Sequence, residues 1–412
     1  MKLFISIVIA ISFSSLCFAQ DILKPIIPAA NRTKVYMPLL KGKRIGVFAN
    51  QTSVVGNTNL IDTLIKSGIN VTKIFSPEHG FRGNADAGAS TTNTVDSATH
   101  VLIVSLYGKK NKPTADDLKD IDILVFDIQD VGVRFYTYIS SLQYFMEAAF
   151  ENSKPLMILD RPNPNGFYVD GPVLDTNYKS FIGMQPVPVV YGMTIGEYAM
   201  MIAGEQWLSS NVANKKYQWY KNYAKNSADT AFHFLVIKCA NYNHNSKYVL
   251  PVKPSPNLPD IGSINWYPST CFFEGTNLSE GRGTIEPFQI FGAPSLPKNM
   301  YAFTPVSLQG ATAPKYVNQV CYGWNVSDII ADDKKLNLHY LIEAYKLVPD
   351  KNNFFIIPKT GNYFFDKLVG NSTLRQQITG GKTEDEIRAS WQAALNKFKQ
   401  IRKQYLLYDD FK

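Results

Sequence analysis

Residues 121–130 read IDILVFDIQD, and this stretch decides the fold class. An apolar run that ends in charged and amide residues is typical of a buried strand in a parallel sheet. Similar apolar runs occur at residues 44–49 (RIGVFA), 70–75, 101–106 and 156–160. Helical patterns separate these runs, and strands that alternate with helices predict right-handed crossovers. We therefore expect an α/β fold whose Rossmann-like parallel sheet is covered by helices on both faces.

The helices are predicted from apolar stripes and from capping residues. A stripe at residues 60–65 ends at Gly68, and glycine commonly follows the last turn of a helix. Thr114 with Asp117 forms a capping box, which indicates the start of a short helix. Longer helices are expected at residues 138–152, 195–208 and 384–406, and Thr383 with Glu386 caps the last of them.

A proline-rich segment divides the 412 residues into two parts. Residues 251–259 (PVKPSPNLP) cannot form regular structure, because proline fixes φ and lacks a backbone donor. We interpret residues 40–250 as the Rossmann-like catalytic domain. Residues 251–412 are then a smaller, mixed α/β C-terminal domain that completes a cleft.

The first 19 residues resemble an export signal. Lys2 is followed by an apolar run at residues 3–13, and Cys17 and Ala19 provide small residues for cleavage after Ala19. The run is shorter than the ~20 residues that a membrane-spanning helix needs, so no stable membrane insertion is expected. Lipidation at Cys17 stays open as an alternative. We expect an exported protein, periplasmic or secreted.

Composition excludes several classes of partner and cofactor. The net charge is +8, but no dense run of lysine and arginine indicates nucleic-acid binding. A mildly basic surface suits an anionic polymer such as the cell wall. Scattered histidines without an HExxH motif, and cysteines without CxxC spacing, predict neither a metal nor a disulfide framework. No obligate protein partner is evident.

Polar side chains follow four of the predicted strands. They occur at residues 50–52, at residues 76–83, at Asp127, Gln129 and Asp130, and at residues 160–163. Open α/β sheets bind their ligands at the carboxyl ends of the strands. The alternative is an ordinary set of loop residues and helix caps, but four groups at one edge favour a site.

Glu78 is the strongest catalytic candidate at that edge. It follows Pro77 and lies near the apolar Phe81, so its carboxyl group is held on a rigid turn in a setting that suits a general acid. A solvated glutamate paired with Arg82 is the structural alternative. The segment 271–284 (CFFEGTNLSEGRGT) adds further charged residues among glycines: Glu274, Glu280 and Arg282.

Two other motifs are weak evidence for a function. Residues 192–196 (GMTIG) have the spacing of a nucleophile elbow, with Thr194 in place of serine. Thr194 and Glu197, however, form a capping box that already uses the hydroxyl. Residues 281–283 match only part of a dinucleotide fingerprint, and no phosphate-binding loop occurs, so no nucleotide cofactor is expected.

Seven motifs in order resemble one known family. They are ANQTSVV (49–55), SPEHGFRG (76–83), DIQDVGVRFYTY (127–138), DRPNPNG (160–166), YGMTIGE (191–197), PSPNLP (254–259) and FEGTNLSEGRGT (273–284). Together they look like the NamZ-like exo-β-N-acetylmuramidases of glycoside hydrolase family 171, formerly a domain of unknown function. The resemblance covers nearly the whole chain after residue 19.

The resemblance implies a two-domain enzyme with a cleft, and release of N-acetylmuramic acid from non-reducing ends of peptidoglycan fragments without metal or nucleotide. It also implies that the glutamate of the PEHG motif, Glu78, is catalytic. A non-catalytic exported protein that binds peptidoglycan or sugar is the alternative function. An esterase is disfavoured, because no convincing Ser/His/Asp set is present.

Glycoside hydrolysis usually needs a second carboxylate. Asp127, Asp130, Glu274 and Glu280 all qualify by position, and we favour the Asp127–Asp130 pair because strand ends hold side chains rigidly. The lactyl carboxylate of muramic acid is an anion, so we expect an arginine to bind it, and the candidates are Arg82, Arg134 and Arg282. The residues expected to contact the muramic acid saccharide are Asn50, His79, Arg82, Arg134, Tyr136, Glu274, Glu280 and Arg282.

Overall fold

The computed structural model describes residues 24–78, 80–81, 93–226, 232–331 and 334–411, without the side chains of 222–226. The expected leader, and the candidate site residues His79 and Arg82, lie outside the described residues. Within those ranges, no helix is both long enough and apolar enough to cross a membrane.

The strands of the described residues are numbered in chain order. They are β1 (Arg44–Ala49), β2 (Val54–Val55), β3 (Thr58–Asn59), β4 (Asn70–Ser76), β5 (Thr94–Val95), β6 (Leu102–Ser105), β7 (Ile123–Asp127), β8 (Leu156–Leu159), β9 (Phe234–Ile237), β10 (Ile290–Ala293), β11 (Tyr301–Phe303) and β12 (Cys321–Asn325).

The helices are numbered in the same way. They are α1 (Thr33–Leu40), α2 (Leu60–Lys66), α3 (Ala115–Leu118), α4 (Tyr138–Glu151), α5 (Ile195–Gly204), α6 (Asn211–Asn226), α7 (Ile261–Thr270), α8 (His339–Leu347), α9 (Phe364–Val369), α10 (Thr373–Thr379) and α11 (Glu384–Lys403). Short 3₁₀ turns lie at Ala29–Asn31, Thr176–Tyr178, Cys271–Gly275 and Lys351–Asn353.

The central sheet has the strand order β5-β6-β4-β1-β7-β8-β9. Its strands are parallel except for the short β5, which runs antiparallel to β6. When the six parallel strands are counted along the chain, their order is 3-2-1-4-5-6, which is the Rossmann arrangement. The expected α/β fold with a Rossmann-like sheet is therefore confirmed.

Both faces of this sheet are covered. Alternate residues of each strand point to opposite faces, and the two sets fall into separate apolar clusters. On one face, Val47 and Val125 pack with Leu64 of α2. On the other face, Phe48 and Phe126 stack with ring centroids 4.9 Å apart, against Phe145 of α4. Because the strands of the sheet other than β5 are parallel, their carboxyl ends all lie along one edge of the sheet.

The C-terminal part contains the antiparallel sheet β10-β12-β11 and helices α8 to α11. The capping box of Thr383 and Glu386 is present at the start of α11, as expected. The apolar face of α11 is buried against the same core as α4 and α5. The two parts of the chain thus share one apolar core.

The structure differs from expectation at several boundaries. Helix α5 ends at Gly204 rather than at residue 208, because Gln206 has a φ of +58° and the N–H of Trp207 bonds to the carbonyl of Ile202. Strand β9 and helix α6 were not predicted from the sequence. Residues 251–259 contain no helix and no strand, as expected.

Candidate active site

Glu78 lies just beyond the end of β4, and two hydroxyl groups hold its carboxyl group. Tyr107, beyond the end of β6, donates to Oε1 over 3.0 Å. Thr137, which precedes α4, donates to Oε2 over 3.0 Å. Burial and the charge of Glu78 raise the pKa of Tyr107, so the phenol stays a neutral donor. Three different chain segments thus orient one carboxyl group.

Glu78 lines a cavity of about 430 Å³, which we call the catalytic pocket. One wall is the carboxyl edge of the sheet, and the opposite wall comes from the loop at residues 273–284. Aromatic rings dominate its lining, and a pocket of this size and character is typical of a small-ligand site. Its lining residues are Glu78, Tyr107, Phe135, Tyr136, Thr137, Tyr138, Phe181, Ile182, Ser255, Asn257, Leu258, Tyr267, Glu274, Arg282, Phe288 and Phe364.

The wall opposite Glu78 carries a cluster of charged side chains. Arg282 donates to Glu274 over 2.7 Å, and its Nε lies 3.4 Å from Glu280. Lys315 lies 3.1 Å from the other oxygen of Glu280. Burial raises the pKa of Glu274, Arg282 opposes the rise, and Glu280 adds to it. The Nη1 atom of Arg282 is buried without a hydrogen-bond partner among the described residues.

Asn50 and Tyr136 support the pocket from the sheet side. Asn50 is buried beyond the end of β1 and donates to the hydroxyl of Tyr138 over 2.8 Å. The hydroxyls of Tyr136 and Tyr138 both donate to the carbonyl of Pro254. Tyr136 lines the pocket, whereas Asn50 lies behind Tyr138 and is not among the lining residues. The proline-rich segment is thereby fixed against the sheet edge.

Asp127 lies at the end of β7, but it is fully buried in an ion pair with Arg161. The two Arg161 donors lie 2.6 and 2.8 Å from the two carboxylate oxygens. Burial raises the pKa of Asp127, and Arg161 opposes that rise. Asp127 does not line the catalytic pocket. Its contacts are those of an internal ion pair that connects β7 to the chain after β8.

Asp130 is also buried away from the pocket lining. Its Oδ2 accepts a short hydrogen bond from the hydroxyl of Tyr191 and a bond from the N–H of Gly132 at 2.6 Å. Oδ1 has no partner within the described part of the chain. Burial raises the pKa of Asp130 to about 6.

Arg134 is fully buried and points away from the pocket lining. Its guanidinium donates to four backbone carbonyls at 2.6–2.9 Å, those of Pro172, Val187, Leu368 and Val369. Burial lowers its pKa to about 9. Arg134 therefore joins the N-terminal part to α9. Of the two candidate arginines that lie in the described residues, Arg134 and Arg282, it is Arg282 that lines the same pocket as Glu78.

Thr194 has the capping role that its spacing predicts. Its hydroxyl caps α5 together with Glu197 and donates to Asp160 over 2.8 Å. In the described ranges, no group of three or more His, Cys, Asp or Glu side chains is placed to hold a metal ion.

A separate cavity of about 460 Å³ lies between α8 and the start of α11. None of its lining residues belongs to the catalytic pocket, and its charged residues include the exposed pair Glu343 and Lys346, 2.8 Å apart. It has neither the strand-end location nor the enclosed charges of the pocket at Glu78. We therefore assign the active site to the catalytic pocket.

Both parts of the chain match one known family. Residues 45–262 match the N-terminal domain of the exo-β-N-acetylmuramidase NamZ, and residues 265–408 match its C-terminal domain. The chain belongs to the NamZ family. It is a glycoside hydrolase, and the two matched domains supply the two walls of the catalytic pocket.

Relatives of this NamZ family member include one curated protein and two solved structures. The peptidoglycan β-N-acetylmuramidase NamZ of Bacillus subtilis (strain 168) is 39% identical over 394 residues, which cover 90% of this chain and 89% of that protein. A DUF1343 family protein from Bacteroides fragilis NCTC 9343 is 45% identical with a TM-score of 0.81, over 94% of this chain and all of that one. A second from the same organism is 29% identical with a TM-score of 0.74, over 93% and 99%.

Several residues at or beside the site were not predicted from the sequence, among them Thr137, Lys315 and Phe364. Thr137 lies inside the motif at residues 127–138, where its position before a predicted helix was the available signal. Lys315 and Phe364 come from distant parts of the chain, and no local pattern links them to Glu78. Tertiary packing alone brings them to the pocket.

Proposed function

We propose that this protein is an exo-acting β-N-acetylmuramidase that releases N-acetylmuramic acid from the non-reducing ends of peptidoglycan fragments. The observation that carries the proposal is the carboxyl group of Glu78, held by Tyr107 and Thr137 inside a pocket lined with aromatic rings. The relative from B. subtilis, similar over nine-tenths of this chain, is named a peptidoglycan β-N-acetylmuramidase. The two domains that the chain matches are those of an exo-β-N-acetylmuramidase.

In this proposal Glu78 is the general acid. It gives its proton to the glycosidic oxygen as the bond to the anomeric carbon breaks, and the ring passes through an oxocarbenium-like state. Two fixed hydroxyl donors keep the carboxyl group from rotating, so its orientation is set before substrate binds. A positioned acid typically contributes ~10²–10⁴-fold to the rate.

We assign the second carboxylate to Glu274. It lines the same pocket as Glu78, on the opposite wall, whereas Asp127 and Asp130 lie outside the lining. Arg282 keeps Glu274 in place through a 2.7 Å bond, and Glu280 lies next to that arginine. Glu274 then stabilises the positive charge that develops on the sugar ring, or accepts a proton from the attacking water.

Arg282 is the group that we assign to the lactyl carboxylate of muramic acid. Its Nη1 is a buried donor that has no hydrogen-bond partner in the described part of the chain, and such a donor gains most from an incoming anion. With Arg282 in this role, the pocket binds muramic acid in preference to N-acetylglucosamine, because N-acetylglucosamine lacks the carboxylate.

The decisive experiment uses the disaccharide of N-acetylmuramic acid and N-acetylglucosamine, because a sugar alcohol needs protonation in order to leave, whereas 4-nitrophenol does not. We expect wild-type protein to release N-acetylmuramic acid, and Glu78→Gln to lose at least ~10²-fold in kcat while it still binds the product. Glu343→Gln, at the surface of α8, is the matched control and keeps wild-type turnover. Turnover by Glu78→Gln within a few-fold of wild type would remove Glu78 from the mechanism. Sugar binding without turnover by wild type would favour a non-catalytic binding protein.

We also propose that the protein is exported from the cytoplasm. An apolar run followed by Cys17-Phe18-Ala19 supports cleavage after Ala19 and action outside the cytoplasm, where peptidoglycan lies. Mass spectrometry of the N-terminus of the mature protein, combined with cell fractionation, tests this. A cytoplasmic protein that keeps Lys2 would contradict it.

A further inference from the structure

A small cavity of about 130 Å³ lies between the segment at residues 172–173, helix α10 and helix α11. We call it the α10–α11 cavity. It shares no lining residue with the catalytic pocket, so it is a separate feature of the surface. None of its lining residues is charged. The cavity therefore suits a neutral ligand.

Trp391 of α11 lines this cavity, and its indole N–H is an unsatisfied donor. The side chain is only 5% exposed and its ring packs into the apolar core. The Nε1 atom is buried and has no hydrogen-bond partner in the described part of the chain. Such a group is costly, because it has lost its water without gaining another acceptor. A ligand that brings an acceptor to this wall therefore gains a hydrogen bond that the protein itself leaves unmade.

Uncharged polar and apolar groups surround the indole. Asn371 and Gln377 each contribute a side-chain amide, and the Asn371 oxygen accepts from the N–H of Thr373 over 2.9 Å. Val173 and Leu374 contribute apolar surface. Because a side-chain amide can both donate and accept, the cavity offers hydrogen bonds of both kinds. It offers them beside a surface on which a methyl group can pack.

The walls of the cavity are held in place by Arg134. Its guanidinium donates to the carbonyl of Pro172 over 2.9 Å and to that of Val369, at the end of α9, over 2.6 Å. Close by, the N–H of Asp175 donates to the carbonyl of Gly370 over 2.8 Å. A cavity whose walls are fixed before a ligand arrives has little ordering cost when it is filled.

The chemistry of the lining fits an acetamido group. The carbonyl oxygen of such a group accepts from the indole N–H, and its N–H donates to the oxygen of a side-chain amide. Its methyl group packs against the apolar side chains. A carboxylate would be buried here without a cation to pair with, which disfavours an acidic ligand.

We propose that the α10–α11 cavity is a second carbohydrate-binding site, outside the active site, which holds the acetamido group of an N-acetylhexosamine. The choice of this sugar rests on the proposed function, because the sugars of peptidoglycan strands carry acetamido groups. A cavity of about 130 Å³ takes the acetamido group and leaves the rest of the strand outside. The site keeps the enzyme on the insoluble polymer while the catalytic pocket acts at chain ends.

The test follows the indole N–H signal of Trp391 by NMR. The chain has five tryptophans, and none of them lines the catalytic pocket, so this signal reports on the α10–α11 cavity. Trp391→Phe assigns the signal by its disappearance. The probe is methyl N-acetyl-β-glucosaminide, and methyl β-glucoside, which lacks the acetamido group, is the matched ligand. We expect the probe to shift the signal until it saturates, and the matched ligand to leave it in place.

Two pairs of variants locate the binding. Ala394→Phe fills the mouth of the cavity from an exposed position of α11, and Ala393→Phe, at an exposed position outside the lining, is its control. Gln377→Ala removes one amide, and Gln376→Ala, next to it on α10 but outside the lining, is its control. We expect Ala394→Phe to weaken binding of the probe about tenfold or more. Gln377→Ala should weaken it about two- to tenfold, as the loss of one neutral hydrogen bond implies.

The role on the polymer is measured with the first pair of variants. Ala394→Phe should lower the rate of release of N-acetylmuramic acid from insoluble peptidoglycan about threefold or more relative to Ala393→Phe. Both should hydrolyse the soluble disaccharide at the wild-type rate, because neither position lines the catalytic pocket. Equal rates of release from the insoluble polymer would overturn this role.

Three results of the titration would overturn the site itself. They are a Trp391 signal that the probe does not move, one that methyl β-glucoside moves equally, and one that Ala394→Phe leaves as responsive as in wild type. A signal that responds to free acetamide but not to the probe would also overturn it, and would assign the cavity to an amide group of a peptide.

The titration also separates the two proposals, because the Trp391 signal does not depend on turnover. If wild-type protein hydrolyses the disaccharide and the signal does not respond to the probe, the second site fails and the proposed activity stands. If the signal responds and wild-type protein hydrolyses nothing, the activity fails and the sugar-binding site stands.

Discussion

Thr137 donates a 3.0 Å hydrogen bond to Oε2 of Glu78, although 59 residues separate them in the chain. Their meeting follows from the strand order, because β4 and β7 both flank β1 and end at the same edge. Tyr107, beyond the end of the other neighbour of β4, satisfies Oε1. The orientation of the Glu78 carboxyl group therefore depends on neighbouring strands of the sheet as well as on its own loop.

The first prediction concerns these two hydroxyl groups. Tyr107→Phe and Thr137→Val each remove one donor to Glu78 and should lower kcat on the disaccharide of N-acetylmuramic acid and N-acetylglucosamine about tenfold, with little change in KM. The physical reason is that a hydrogen bond to a neutral carboxyl group contributes about 0.5–1.5 kcal/mol, and about 1.4 kcal/mol corresponds to tenfold in rate. Steady-state kinetics at one pH measures the effect.

The double variant gives the control for this prediction. If the two hydroxyls act on the same carboxyl group, their effects on kcat should not be additive, as is usual for groups that share a partner. Additive losses in KM without a loss in kcat would contradict an orienting role. They would indicate that both hydroxyls contact the substrate instead.

The second prediction concerns the choice between two sugars. Arg282→Lys keeps a positive charge but loses the planar fork that matches a carboxylate. We expect the preference for muramic acid glycosides over N-acetylglucosamine glycosides to fall about ten- to a hundredfold, corresponding to 1.5–3 kcal/mol. The ratio of kcat/KM on the two 4-nitrophenyl glycosides measures it. An unchanged ratio would show that Arg282 does not bind the lactyl carboxylate.

Much of this site was predictable from the sequence, because strand ends follow directly from apolar runs. The expected neighbourhood of Glu78, Asn50 and Asp127 at three adjacent strand ends is confirmed by the order β4-β1-β7. The segment at residues 271–284 was a source of candidate site residues, and two of them, Glu274 and Arg282, line the same pocket as Glu78.

What the sequence did not reveal is which strand-end residues are open to a ligand. Asp127 and Arg134 belong to the same motif as Tyr136, yet one is in a buried ion pair and the other donates to buried carbonyls. Burial depends on partners such as Arg161, which are distant in the chain and carry no local signal. For the same reason Lys315 and Phe364 could not be linked to the site.

The third prediction separates a structural role of Asp127 from a catalytic one. Asp127→Asn leaves the guanidinium of Arg161 buried without its counter-ion, and breaking such a pair typically costs about 3–5 kcal/mol. Urea denaturation should therefore show a large loss in the free energy of unfolding. If the free energy of unfolding were unchanged and turnover were lost, Asp127 would instead have a catalytic role.

The last prediction is a pH dependence of stability at Asp130. Burial raises its pKa to about 6 in the folded protein, whereas in an unfolded chain it is near 4. The folded state therefore binds the proton more tightly. The stabilisation is complete below pH ~4 and is lost as the pH rises through about 6.

Asp130→Asn removes this titration, since the amide stays neutral and its oxygen can still accept from Tyr191 and Gly132. Relative to wild type, its free energy of unfolding should rise by roughly 2–3 kcal/mol between pH 4 and pH 7.5. Urea denaturation at both pH values measures this, with Asp328→Asn at an exposed position as the control. A difference between variant and wild type that does not change with pH would mean that Asp130 titrates normally. Turnover lost by ~10²-fold or more at unchanged stability would identify Asp130, rather than Glu274, as the second carboxylate.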